Sequence, residues 1–441
     1  MITLGPIFGA IYIINDNQVS IAVGFETSCD AKITLQLKNK DNIVINTFYT
    51  DSIHNQFKVE KLILHKTYKY FLCLTCICTA GIYRSYGSFS LGPNIVAISC
   101  NHHIPYSIPL EFLSNNPPNL CIHIGDNIYM DDIYRNLESN YNPEIRYDDM
   151  ISVFQDEYRR NWNSIDMKRL LSSCTNIFLG NQYDICKDWE YDFALPSGWR
   201  YMIKDNSIDW EKIYGLMTTP REKIIVASLS VYCRYQIALS IPPEQICIPG
   251  SFHYIYQDKH ILFLDRKMHM VGGTDLIPST ITNIDILVTP TPIGLLPSIL
   301  CNSVTKFILE NIFSNRIISN EWIFDRCDLF DILSYMSDTS ICISGTVGIT
   351  GKSYLNIDLR NKRFEILQLT SSGISKFSKR SILLGMLRMI RKFIPIYYIS
   401  MKKSILRCIH ESWTSEPSYI RFSIGNPIST HEFITESLIQ N

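Results

Sequence analysis

Six short apolar runs recur along the chain, and each is stopped by a turn-forming or polar residue. They are IVAISC at 95–100, LCIHIGD at 120–126, NIFLGN at 176–181, HILFLD at 260–265, DILVTP at 285–290 and SICISG at 340–345. Apolar runs this short, bounded by Gly, Asp, Asn or Pro, read as strands with both faces buried. Such a strand needs packed layers on either side of its sheet. The stretches between the runs carry helical spacing. EYRRNWNSIDMKRLLSSC at 157–174 sets Tyr158, Trp162, Leu170 and Leu171 on one helix, and FDRCDLFDILSYM at 324–336 reads as another. The expected fold class is α/β, with chemistry on the loops beyond the strand ends.

The first ~90 residues have a different texture, all β, with period-2 patterns broken by Asp, Asn, Ser and Lys. QVSIAVGFE, AKITLQLKN and NIVINTFY alternate or run apolar. In LHKTYKYFLCLT, Tyr68 and Tyr70 lead into a strand as the corner tyrosine of a small immunoglobulin-like or fibronectin-like β-sandwich does. Gly92-Pro93 stops that pattern. The expected organisation is a sandwich over residues 1–92 and a second domain over 93–441, consistent with a length of 441 residues.

Charge and composition exclude several classes. With 41 basic and 42 acidic residues there is no global pull toward nucleic acid. No aromatic-basic motif supports such a partner either. The apolar runs break too early to span a bilayer, which takes about 20 residues. MITLGPIFGAIYIINDNQ has no basic segment ahead of an apolar one and no cleavage pattern, so a reducing cytoplasm is the expected location. The 14 cysteines then read as free thiols, mostly core hydrophobes. Cys73 and Cys76 have C-x-x-C spacing but no second pair at zinc-site distance. Phosphate-binding glycine loops, a serine elbow and a zinc H-E-x-x-H are all missing.

The most chemical segment is His123-Ile124-Gly125-Asp126-Asn127-Ile128-Tyr129-Met130-Asp131, where a strand ends by presenting a carboxylate. It stands in an ordered series of landmarks. Ile98-Ser99-Cys100 precedes it, and Tyr158, Trp162, Arg169, Leu170 and Leu171 follow on a helix. Next come Asn181-Gln182-Tyr183-Asp184-Ile185-Cys186-Lys187-Asp188-Trp189, HILFLDRKMHM, Ile343-Ser344-Gly345-Thr346-Val347-Gly348 and Gln368-Leu369-Thr370-Ser371-Ser372-Gly373-Ile374. In this order and spacing the chain resembles the PhoD-like alkaline phosphatase and phosphodiesterase family over nearly its whole length. The resemblance implies an αββα metallophosphatase sandwich behind an N-terminal immunoglobulin-like sandwich. It also implies a metal centre, iron plus calcium or another divalent pair, that polarises phosphate and activates a nucleophile.

Carried over residue by residue, the resemblance makes Cys100, Asp126 and Tyr129 a remnant metal site, suited to one iron or calcium ion. Other landmarks depart from the pattern. Gln182 stands at a ligand carboxylate, Tyr183 at a catalytic histidine, and Thr346 and Gly348 in the loop that supplies a metal-binding histidine. Lys267 replaces an arginine and keeps the charge without the bidentate fork. The resemblance places Lys267 and Asp184 at substrate-binding positions, with orienting the loop as the other role for Asp184. A neutral Gln182 does not offset the charge of two close cations. The expectation is a metallophosphatase-fold protein with impaired or absent catalysis that binds a phosphoester ligand, one metal ion or a protein partner.

Two other readings stand beside it. An active phosphatase would rebuild its ligands from Asp131, Asp132, Asp184, Asp188, His102, His103 or His123, although His123 inside a strand reads as a core histidine. A membrane-surface adaptor would use residues 376–407, which hold nine Lys or Arg and no acid, including Arg388, Arg391 and Lys392 ahead of Pro395.

Overall fold

The computed structural model describes residues 2–15, 18–27, 31–39, 44–50, 54–63, 65–76, 82–101, 107–186, 189–204, 207–241, 249–272, 275, 277–279, 281–293, 326–345, 350–359, 362–371, 373–374, 396–401, 404–414, 416–425 and 428–440. All six apolar runs are strands. Asn94–Ile98, Leu120–Ile124 and Thr175–Leu179 lie side by side and parallel in a first eight-stranded sheet. Lys259–Phe263, Ile286–Thr289 and Ile341–Ser344 do the same in a second eight-stranded sheet.

Alternation along these strands builds the layers. In the first sheet Ile95, Ala97, Ile122, Ile124, Ile177 and Leu179 point one way. They share a core with Ile261, Phe263, Ile286, Val288 and Ile343 of the second sheet. Val96, Ile98, Cys121 and Phe178 point the other way, into helices Tyr147–Trp162, Ile165–Ser173 and Pro220–Tyr232. On the far side, Leu262, Leu287 and Cys342 meet Leu329, Ile332 and Leu333 of helix Arg326–Ser334. Successive side chains of a strand face opposite sides, so a wholly apolar run fills two cores at once. The result is four layers: helix, sheet, sheet, helix.

The stretch 157–174, read above as one helix, is two. Asn163 closes the first, and Ser164, in extended conformation, opens the second. Both residues favour helix ends over helix interiors because their side chains compete for backbone hydrogen bonds.

Among the described residues, the first 92 positions supply seven strands. Val44–Thr50, Ala31–Lys38, Thr67–Cys76 and Ile82–Ser90 form a separate four-stranded sheet. Ile2–Asn15, Gln18–Thr27 and His54–Ile63 instead extend the first sheet, through the parallel pairing of Phe8 with Thr175. Leu35, Leu37, Tyr70 and Leu72 of the small sheet pack into the same core as Phe8, Val19 and Val59. The Tyr68 hydroxyl accepts from the Ile63 N–H at 2.6 Å and donates to the Ile63 carbonyl at 3.2 Å, tying the turn between their strands.

Residues 375–395, which hold Arg388, Arg391 and Lys392, lie outside the described residues. Beyond them Ile396–Met401 and Ser404–Thr414 pair as strands on one edge of the second sheet. Among the described residues no helix is long and apolar enough to cross a membrane. The described cysteines, Cys73 and Cys100 among them, are free thiols.

Candidate functional site

Strand ends of both sheets bring their loops together. The Cys100 N–H donates to the Gly125 carbonyl at 3.2 Å, and the Asn101 N–H to the Asp126 carbonyl at 2.9 Å. From the second sheet, Ile374 N–H reaches the Ser99 carbonyl at 2.9 Å, and Ser371 N–H the Ser344 carbonyl at 2.9 Å. Gly345 comes so close that a Cβ there would stand 2.6 Å from Ser99 Cβ and 2.9 Å from the Ile124 carbonyl. Cys100 and Asp126 have φ of 50° and 53°, left-handed values that non-glycine residues adopt only when the surroundings impose them.

Asp184 holds the turn at Asp126. Its Oδ2 accepts the N–H groups of Asp126 and Asn181, both at 2.8 Å. Its Oδ1 accepts those of Asn127 at 2.9 Å and Ile128 at 3.1 Å, and Gln236 Nε2 at 2.9 Å. One carboxylate therefore folds the whole 125–128 turn and the start of the 182–184 turn. Burial, followed by the neighbouring Asp126, pushes this carboxyl up to about 7, against the pull of Gln236 and the backbone donors. Gln236 is held by a π-helical turn, Cys233–Ile237, that continues helix Pro220–Tyr232. From there its amide also donates to Tyr158 Oη at 2.9 Å and accepts from Asn127 Nδ2 at 2.7 Å.

Cys100, Asp126 and Tyr129 lie close together. Cys100 Sγ lies 3.6 Å from Asp126 Oδ2, and Asn181 Nδ2 donates to Asp126 Oδ1 at 3.1 Å. Burial, then the nearby Cys100 and Asp126, holds the Tyr129 phenol well above its ordinary range. The Tyr183 ring stacks on that of Tyr129, with centroids 5.0 Å apart and planes at 26°. Gln182 and Tyr183 are half-buried in the short turn capped by Asn181. Lys267 begins a helix capped by Asp265 and is paired with Glu190. Thr346, Gly348, His102, His103 and Asp188 lie outside the described residues.

His123 faces the helical layer, not the site. It hydrogen-bonds Asn176 Oδ1 at 3.0 Å and stacks on Phe178, and burial lowers it to about 4. Asp131 and Asp132 sit in the first turn of helix Asp131–Ser139, near Arg135. Four residues that organise the site escaped the sequence reading: Asn127, Asn181, Glu190 and Gln236. Arg234 and several serines surround Gln236 in the sequence, so no local pattern marks it out.

Over 98% of this chain and 88% of the other, the structure matches that of PhoD, with a TM-score of 0.58 and 10% identity. The fold is PhoD-like. The αββα expectation holds at this level as layered α/β sheets in a PhoD-like fold. Two further overlaps are partial. One is with the sensor domain of the anti-sigma factor RsgI4 of Pseudobacteroides cellulosolvens, at TM-score 0.15, 12% identity, and 19% and 72% coverage. The other is with the β-glucuronidase of Parabacteroides merdae, at TM-score 0.21, 11% identity, and 42% and 29% coverage. No family model and no curated protein matches the chain.

The described residues do not fit the two-cation centre that the PhoD-like resemblance implies. Among the described residues no three His, Cys, Asp or Glu side chains gather as a metal would need. Asp184 is committed to its five N–H donors, and Asp126 already accepts from Asn181.

Proposed function

We propose that this chain is a PhoD-like scaffold that no longer turns over phosphoesters and uses the old cleft for recognition. One observation carries the reading. The loop that should deliver a bridging carboxylate and a histidine delivers Gln182 and Tyr183, and its acid, Asp184, is consumed by five N–H donors. Two-metal hydrolysis depends on ligand charge and number, and even changes behind the ligands lower metal affinity about 10–100-fold. Cys100, Asp126 and Tyr129 keep three donors of the centre, a set that serves one cation at most. In this reading residues 1–92 form an immunoglobulin-like module, supported by the three-plus-four strand division and the Tyr68 corner.

The test is turnover by the purified full-length chain. With p-nitrophenyl phosphate and bis-p-nitrophenyl phosphate, in the presence of iron, calcium, manganese or zinc, no hydrolysis above background is expected. Elemental analysis should find less than one cation per chain. Hydrolysis that disappears in Asp126→Ala would reject the reading.

A further inference from the structure

Strands Phe252–Tyr256 and Lys259–Phe263 form a hairpin at one edge of the second sheet. Gln257 and Asp258 make its turn, with φ of 48° and 61°. Two left-handed residues in a two-residue loop are what a type I′ turn requires, and Asn-Gly is its usual occupant. A glutamine takes up that conformation at a cost, so the hairpin depends on contacts between its strands. One of these contacts pairs two histidines. The register sets His253 opposite Leu262 and Ile255 opposite His260, which makes the histidines diagonal neighbours on one face. His253 Nε2 lies 3.0 Å from His260 Nδ1. The ring centres are 5.1 Å apart and the planes differ by 12°. Nearly parallel rings whose nitrogens are much closer than their centres meet edge to edge, as an N–H···N bond requires. Both side chains are half-buried, so solvent protons reach them.

This bond exists only while one of the two facing nitrogens is bare. In the neutral pair one ring donates and the other accepts. A first added proton goes to a nitrogen on the outer side of the pair, and the bond becomes charge-assisted. A second puts a proton on both facing nitrogens, which removes the acceptor and sets two cations side by side. The neighbouring groups are already engaged or turned away. Asp285, just ahead of the adjoining strand Ile286–Thr289, accepts the His260 backbone N–H at 2.8 Å with one oxygen and faces Lys259 at 3.8 Å with the other. Asp258 is exposed in the turn. Tyr12 of strand Ile2–Asn15 meets Tyr254, on the opposite face of the hairpin. Burial, then the neighbouring His260, holds His253 below its ordinary range. We propose that His253 and His260 form an acid-sensitive clasp: the pair accepts one proton with its hydrogen bond intact, and a second proton opens it and loosens the 252–263 hairpin. At the base of that hairpin Ser251 Oγ accepts the Asp265 N–H at 2.9 Å, and Asp265 caps the helix that carries Lys267. The clasp therefore sits on the element that leads into the site. The inference does not depend on whether the site turns over phosphoesters.

The experiment uses the full-length chain with isotope-labelled histidine, followed by NMR from about pH 8 to pH 4. Hydrogen exchange of the 252–263 segment is measured over the same range and compared with strand Leu120–Ile124. Single variants His253→Gln and His260→Gln assign the two ring signals. The expected result is a pair that titrates in two steps separated by more than about two pH units. Exchange in the hairpin, corrected for the intrinsic pH dependence, should rise about tenfold through the lower step while the reference strand is unmoved. In His253→Gln the amide bonds the remaining imidazole at either charge, so His260 should titrate in one step and the acid-induced rise should disappear. Should one variant fail to fold, the other gives the same reading, and the wild-type exchange profile stands without either. Three results would overturn the proposal: the two rings titrate independently within about half a pH unit of each other, hairpin exchange keeps the pH dependence of the reference strand, or a folded His253→Gln variant retains the acid-induced rise.

Discussion

Asp184 and Glu190 are near neighbours in sequence, both buried, and they are treated in opposite ways. Asp184 receives five N–H donors, four of them from the backbone. Glu190 has one lysine and a bare oxygen. The first arrangement is that of a device that shapes the loops, since every lone pair it offers is taken by the turn it holds. The second is that of an isolated ion pair, one carboxylate against one lysine.

The largest effect that would break this contrast is at Asp184. Asp184→Ala strands four backbone N–H groups in a buried turn, and a loss of about 3–5 kcal/mol in urea unfolding is expected. A loss below about 1 kcal/mol would mean that the turn holds itself and that Asp184 is no anchor.

The pH profile sharpens the same point. Asp184 is raised from 3.8 to about 7, so the stability linked to its protonated form is present below pH 4 and lost as pH rises through 7. His123 is depressed from 6.5 to about 4, so its contribution is present above pH 6.5 and lost as pH falls through 4. The two oppose each other across that window, and the wild-type profile should be shallow. His123→Gln removes one side. Between pH 7 and pH 4.5, its stability relative to wild type should rise on acidification by up to about 3 kcal/mol. A profile parallel to that of wild type would show that His123 is not held neutral by its strand.

Much of this architecture was legible because it is written in short periods. Ile95 and Ala97 against Val96 and Ile98 announce a strand buried on two faces, and Gly125-Asp126 announces the turn that ends one. The break at Asn163-Ser164 was missed because the apolar spacing runs on through it, although a serine is a common helix opener. Long-range pairing was not legible at all. Asn176 Nδ2 reaches the Phe8 carbonyl across 168 positions, and no local pattern says that the N-terminal strands extend the first sheet. In the site, Cys100, Asp126 and Asp184 were found as landmarks, whereas the role of Asp184 depends on Gln236, brought in by a π-turn. The pairing of Lys267 with Glu190, 77 positions away, was likewise not legible.

That pair yields the last two expectations, smaller than those at Asp184. Lys267→Met leaves Glu190 buried without any partner among the described residues, and a loss of about 2–3 kcal/mol is expected. Glu190→Met combined with Lys267→Met removes both charges and fills the space with apolar atoms. Replacing a buried pair in this way is often neutral, because the desolvation cost of two ions disappears together with their attraction. A change of less than about 1 kcal/mol, of either sign, is therefore expected for the double variant in the same urea titration. The two Met variants together form a cycle. If the double loses as much as Lys267→Met alone, the cleft needs its charges for folding, and Glu190 is an anchor like Asp184. If the double is neutral while Lys267→Met is costly, the attraction of the pair only offsets its own desolvation, and the pair contributes little to the fold.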